Sequence, residues 1–201
     1  MTCLVCFRFS SHSHYLSVAF QRLWVDCLDY KREESTTVFD FFDHVLQPKS
    51  TFGLWLFDAA NVNPDEMVFS QYISVTAYAA LLSKPGLLKL IFDHSSITDC
   101  LSRDGWKTLV KAILSVEKVP YPRRIAIEAF DRFSSKDIHG NDVLLFEDFV
   151  QLSNHYPFVI MPMVRLLKSI REHHLGDSFW RLKTHEIEKA HGRIREEEEG
   201  R

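Results

Sequence analysis

The feature that most constrains this chain is a pair of residues, an aromatic followed by an acid, that recurs at nearly even spacing. Each pair stands at the end of an apolar-periodic segment, and a polar stretch and a second apolar-periodic segment follow it. The pairs lie 35 and 38 residues apart: Phe57-Asp58, Phe92-Asp93 and Phe130-Asp131. The second segments carry aromatic residues at corresponding positions: Tyr72, Trp106 and Phe149. A repeat of this length predicts a unit of helix, loop and helix.

Composition supports a globular, helical chain. Of its 201 residues, 46% are apolar and only seven are Gly and seven Pro, which favours helices over an all-β fold. The formal net charge of −3 and the mixing of basic with acidic residues argue against a nucleic-acid-binding surface. No run approaches the ~18 consecutive apolar residues that a membrane span needs, so no transmembrane segment is predicted.

Two further helices are predicted before the repeats. The apolar residues between Tyr15 and Tyr30 fall at helical spacing, and the polar run KREEST follows, in which Ser35 or Thr36 can cap the next helix. That helix, Val38–Leu46, is hydrophobic on nearly every side. Such a helix is either buried in its own protein or offered to a partner.

A fourth, eroded unit follows the third. Residues Pro157–His174 have helical periodicity, and Leu175-Gly176 is a helix stop. Asp177 or Ser178 can cap a second helix that carries Phe179 and Trp180. The end of the chain, residues 191–201, is crowded with charges and is predicted to be a solvated tail.

The repeated Phe-Asp before each loop and the hydrophobic-x-Phe-x-x-aromatic after it resemble the EF-hand (calmodulin) superfamily, in a degenerate form, over about residues 51–182. The resemblance implies an all-α fold with two lobes of paired units, since EF-hands pack in twos. The expected division is an N-terminal segment with two helices at 1–50, one pair at 51–117, a second pair at 123–190 and the tail at 191–201. The fourth unit also resembles eroded EF-hand proteins of cilia and flagella.

A calcium loop of this family has 12 residues, with oxygen ligands at positions 1, 3, 5, 7, 9 and 12 and Gly at position 6. The first loop is two residues too long and has Gln71 at position 12. The second is one residue too long and has Gly105 there. Neither residue supplies the carboxylate that the last position requires, so neither loop is expected to bind calcium.

The third loop keeps ligand chemistry. Counted from Asp131 to Asp148 it has 18 residues, six too many, but counted back from the second helix a 12-residue register begins at Asp137. The candidate metal ligands in that register are Asp137, His139, Asn141, the Val143 carbonyl and Asp148. Asp at position 12 suits Mg²⁺ better than Ca²⁺. The alternative is a polar surface loop in which Asp and Asn act as turn and cap residues.

Nothing in the sequence points to catalysis. The chain has no GxSxG, P-loop, HExxH or GxGxxG motif, and its ten histidines lack partners at ligand spacing. We therefore predict no catalytic residues, no organic cofactor and no enzyme activity.

The first hypothesis for function is a non-enzymatic structural protein that binds protein partners through a degenerate EF-hand scaffold. The ciliary likeness suggests tubulin or another part of a microtubule-associated axonemal assembly as the partner. The alternative is a Ca²⁺ or Mg²⁺ sensor acting through the third loop. Four scattered cysteines favour a reducing, cytoplasmic compartment, with the ciliary cytoskeleton as its more specific form. The first 25 residues lack acids, which makes a mitochondrial location the alternative.

Overall fold

The structure is a computed structural model that describes residues 19, 21, 35–96, 99–116 and 123–199. These residues are mostly helical, which confirms the predicted all-α class. The helices are α1 (Val38–His44), α2 (Thr51–Ala59), α3 (Phe69–Leu81), α4 (Lys84–Ser95), α5 (Arg103–Val116), α6 (Arg123–Phe133), α7 (Phe146–His155), α8 (Met161–His173) and α9 (Asp177–Glu199), with a 3-10 turn at Pro157–Val159. Three short strands form a small sheet: β1 (Leu101–Ser102), β2 (Ser135–Lys136) and β3 (Asp142–Leu144).

The predicted repeat is present as four helix–loop–helix units: α2–α3, α4–α5, α6–α7 and α8–α9. The Phe-Asp pairs lie within the last turn of α2, α4 and α6, and their three Phe side chains are buried. The fourth residue of each second helix is a buried aromatic: Tyr72, Trp106, Phe149 and Trp180. The residue two places before α3, α5 and α7 is a fully buried aliphatic: Met67, Leu101 and Leu144. Regular spacing of core residues therefore sets the repeat.

The units pair in a different order from the one predicted. The sequence led us to expect the first unit with the second and the third with the fourth. Instead β1 of the second unit pairs antiparallel with β3 of the third, in the register Leu101 with Leu144, and β2 pairs with the other side of β3. Among the helices, α4 packs on α7 and α5 on α6, while α3 packs on α8 and α9, and α2 packs on both α4 and α8. We call α4–α7 the inner half and α1–α3 with α8 and α9 the outer half.

Helix α1 completes the core of the outer half, and Val38, Phe41 and Phe42 are buried within the protein. Thr37, one residue after the predicted caps, begins the helix: its hydroxyl accepts from the Asp40 amide, and the Asp40 carboxylate accepts from the Thr37 amide at 2.9 Å. The Phe41 ring, fully buried, lies 5.3 Å from Phe57. Gly53 makes room for Phe42, because a Cβ at Gly53 would lie 2.1 Å from the Phe42 ring.

The first helix of the fourth unit ends as predicted, but the second helix begins at Asp177 itself, one of the two residues predicted to cap it. Leu175 and Gly176 have positive φ angles of 67° and 81° between α8 and α9, so this pair stops the helix. The indole Nε1 of Trp180 donates to the carbonyl of His174 across the turn. Helix α9 continues through Glu199, so the predicted boundary at residue 191 does not coincide with a helix end.

Several predictions fall on parts of the chain that the structure does not describe. The predicted helix Tyr15–Tyr30 lies outside the described residues apart from Ala19 and Gln21, both helical. The Lys118–Pro122 connection between the predicted pairs also lies outside them. Within the described ranges, no single helix is long and apolar enough to cross a membrane; α3 and α4 meet that test only together, and a bend of 113° separates them.

Candidate functional site

The third loop, the candidate metal site, folds into a tight hairpin between α6 and α7. Helix α6 runs three residues beyond Phe130, and residues 135–144 then form β2, a turn and β3. The six residues by which the loop, counted from Asp131, exceeds 12 are thus accommodated partly by a longer α6 and partly by the hairpin. Helix α7 begins at Phe146, which is the tenth position of the register counted from Asp137.

The Asp137 carboxylate organises the tip of this hairpin. One oxygen accepts from the backbone amides of His139 and Asn141, each at 2.8 Å, and the other accepts from the Asn141 side-chain amide at 3.1 Å. These bonds favour the charged form, and the Asn141 amides lower the pKa of Asp137. Gly140, with φ of 79°, allows the chain to reverse. The geometry is that of an Asx turn closed by a polar side chain.

A cluster of opposite charges ties this hairpin to the second unit. The Arg103 guanidinium, at the start of α5, lies 2.7 Å from Asp131 and 3.2 Å from Asp142, and the Lys136 ammonium lies 2.7 Å from Asp142. We call these four residues the Arg103 cluster. Lys136, and after it Arg103, lowers the pKa of Asp142, while hydrogen bonds to Asp131 and Asp142 raise that of Arg103. The guanidinium also lies 4.8 Å from the Phe130 ring centroid. Two carboxylates of the loop region therefore have protein cations as partners.

The structure brings three of the five candidate ligands together and separates the others. Asp137, His139 and Asn141 share the exposed tip, whereas the Asp148 carboxylate accepts from the Leu145 amide at 3.2 Å and the Ser135 hydroxyl at 3.3 Å at the start of α7. Val143 lies in the central strand, opposite Ser102 on one side and Ser135 on the other. Among the described residues, no three His, Cys, Asp or Glu side chains form a group that could hold a metal ion.

The first two loops use their last predicted ligand position differently. In the first, the Gln71 side-chain oxygen accepts from the Val68 amide at 2.9 Å and so caps α3. In the second, Gly105 lies against α4: a Cβ there would be 2.7 Å from the Ser95 carbonyl oxygen and 2.8 Å from Leu101. A carboxylate side chain at this position would require the two helices to move apart.

Sequence reasoning did not identify the Arg103 cluster. Arg103 is 28 residues from Asp131 and 39 from Asp142, and only the pairing of β1 with β3 brings them together. One signal was present, because Asp142 occupies the position where a calcium loop needs Gly. An acid with no ligand role there is consistent with an ion-pair partner elsewhere in the fold.

No protein-family model matches this chain, and a search of curated proteins finds no similar sequence.

Proposed function

We propose that this protein is a non-enzymatic interaction scaffold built on degenerate EF-hand units, which holds protein partners in a fixed shape without a metal switch. The observation that carries the proposal is the Arg103 cluster. Lys136 and Arg103 supply, from the protein itself, positive charge beside the loop carboxylates Asp131 and Asp142. With these two acids paired to cations of the protein, and with Asp137 and Asp148 hydrogen-bonded within the loop, the hairpin is held in place without a divalent ion.

The pairing of the second unit with the third supports the same proposal. EF-hands pack in twos, and here the loops of the second and third units are joined by antiparallel strands that pair Leu101 with Leu144. Both leucines are fully buried and lie two residues before the second helix of their unit. Because the sequence of the fourth unit resembles EF-hand proteins of cilia and flagella, the partner should be sought first in an axonemal assembly.

One observation favours a second candidate, a Ca²⁺ or Mg²⁺ site at Asp137–Asp148. Helix α7 begins where the 12-residue register requires, and Asp148 is the third residue of that helix. A metal would have to compete with the hydrogen bonds that the Asp137 and Asp148 carboxylates accept within the loop.

Calorimetric titration separates the two candidates. The scaffold proposal expects no binding heat with Ca²⁺ or Mg²⁺ at micromolar concentrations. Micromolar binding that Asp137→Ala abolishes, and that Asp65→Ala in the first loop leaves unchanged, would establish the sensor instead. A second test uses the intact protein to capture partners from an axonemal extract, once with calcium and once with a chelator. A scaffold is expected to retain the same partner in both conditions. Failure to capture any protein in either condition refutes it.

A further inference from the structure

Helices α5 and α6 enclose an apolar groove with a volume of about 310 Å³ on the surface of the inner half. Its floor is formed by Trp106 and Ala126, both buried, and its walls by Val110, Leu114 and Ile127. Ile127 is 54% exposed, which is unusual for an isoleucine that lies beside a packed core. The groove therefore presents aliphatic surface to solvent.

The apolar lining of this groove matches one face of an amphipathic helix. Trp106, Val110 and Leu114 are four residues apart, so they form one stripe along α5 of about 12 Å, or two turns. Small-molecule sites add a few placed polar groups to an apolar pocket, but this lining has only two lysines besides apolar side chains, and the Trp106 Nε1 already donates to the Ala126 carbonyl at 2.9 Å. Apolar side chains from an amphipathic helix match such a stripe.

Positive charge lines one side of the groove. Lys107 and Lys111 are one turn apart on α5, and both are exposed. Lys107 pairs with Asp104 at 2.8 Å, whereas Lys111 forms no ion pair within the part of the chain that the structure describes. An occupant with carboxylates on its flank would complement this rim, and an occupant with lysines there would be repelled.

We propose that the groove between α5 and α6 binds an amphipathic helix of a partner protein, with apolar side chains against Val110, Leu114 and Ile127 and with Asp or Glu facing Lys107 and Lys111. The inference rests on the proposed scaffold function and names the surface and the chemistry of the partner.

Two labelled helical peptides of ~14 residues, longer than the 12 Å stripe at about 1.5 Å per residue, test this proposal. Both carry Leu at the i, i+3, i+4 and i+7 positions; one has Glu on its flanks and the other has Lys. Fluorescence anisotropy is expected to show binding of the Glu peptide at least about tenfold tighter than the Lys peptide. Ile127→Glu is expected to weaken the Glu peptide about tenfold or more, and Lys111→Glu to reverse the preference between the peptides.

Ile138→Glu is the matched control. Ile138 is 94% exposed at the hairpin tip, outside the groove, so its substitution leaves peptide binding unchanged. Absence of binding by either peptide, equal binding of both, or unchanged binding in Ile127→Glu and Lys111→Glu overturns the inference. If sedimentation shows dimers that Ile127→Glu separates, the occupant is a second copy of this chain and the inference is wrong. If the intact protein and the Ile127→Glu variant capture the same partner equally well, the groove is not its binding site, but the proposed scaffold function still holds.

Discussion

The two halves of this molecule are built from the same kind of unit but are closed by different means. The outer half is closed by an added helix, with Phe41 of α1 set between Phe57 of α2 and His174 at the end of α8. The inner half has a small sheet and the Arg103 cluster instead, and its helices leave an open groove. Over their buried cores the two halves therefore carry different additional contacts, an aromatic helix in one and partly exposed ion pairs in the other. These contacts should respond differently to mutation, pH and salt.

Removing the aromatic anchor of the outer half is expected to have the largest effect. Phe41→Ala deletes a fully buried ring that contacts Phe42, Phe57, Tyr72 and His174, so the free energy of unfolding is expected to fall by about 3–5 kcal/mol. Phe39→Ala on the same helix is the control, because that side chain is 57% exposed and its loss is expected to change stability by ~0.5 kcal/mol or less. Denaturant unfolding measures both free energies. A loss in Phe41→Ala as small as that in Phe39→Ala would mean that α1 is not part of the core.

Acid should weaken the outer half through His174. This side chain is fully buried, its ring is stacked on Phe41 at 5.6 Å, and burial lowers its pKa from 6.5 to about 4, with His44 and His173 adding smaller effects of the same sign. As pH falls from about 6.5 to about 4, the unfolded chain takes up a proton at this histidine and the folded protein does not. Stability contributed by the neutral ring is complete above pH ~6.5 and is lost by pH ~4, a decrease of about 3 kcal/mol.

Denaturant unfolding at a series of pH values measures this loss. His174→Phe keeps a ring against Phe41 and removes the titrating group, so the decline between pH ~6.5 and ~4 is expected to be smaller in this variant. An identical decline in the two proteins would assign the acid sensitivity to other groups.

The smallest effect is expected in the inner half, at the Arg103 cluster. Its side chains are partly exposed, with 40% of the Arg103 side chain and 50% of Asp131 accessible to solvent, and such ion pairs stabilise weakly. Arg103→Met is expected to lower Tm by about 2–4 °C at low salt and by less in 1 M salt, because salt screens exposed charges. Arg124→Met, which removes a pair with Glu128 within α6, is the control and is expected to shift Tm less. A Tm decrease that persists at high salt would indicate lost packing on Phe130 instead of lost charge.

The sequence was sufficient to predict the repeat because core positions recur along the chain. Tyr72, Trp106 and Phe149 were placed correctly by spacing alone, since a residue that must be buried at a fixed point of each helix leaves a regular signal. The apolar face of Val38–Leu46 was likewise visible. Whether that face is covered by its own protein or by a partner depended on the distant residues Phe57 and His174.

The order of pairing was not predictable for a physical reason. The apolar faces of the four units are chemically alike. Composition therefore does not show whether the second unit pairs with the first unit or with the third. That choice depends on two-residue strands such as Leu101–Ser102 and on contacts between residues far apart in sequence. In the third loop, the same acids suit either a metal or a turn, and the difference lies in hydrogen bonds such as those to Asp137, which geometry alone reveals.

The nested pairing has a consequence for how the chain is made. The Ser169 hydroxyl donates to the Val45 carbonyl across 124 residues, and α3 packs on α8 and α9. During synthesis, α1–α3 emerge first and can pack on one another, since Phe41 contacts Phe57 and Tyr72, but their contacts with α8 and α9 form last. The surface of α1–α3 that α8 and α9 cover is therefore exposed for most of translation, and truncation after α7 is expected to leave it available for aggregation or chaperone binding.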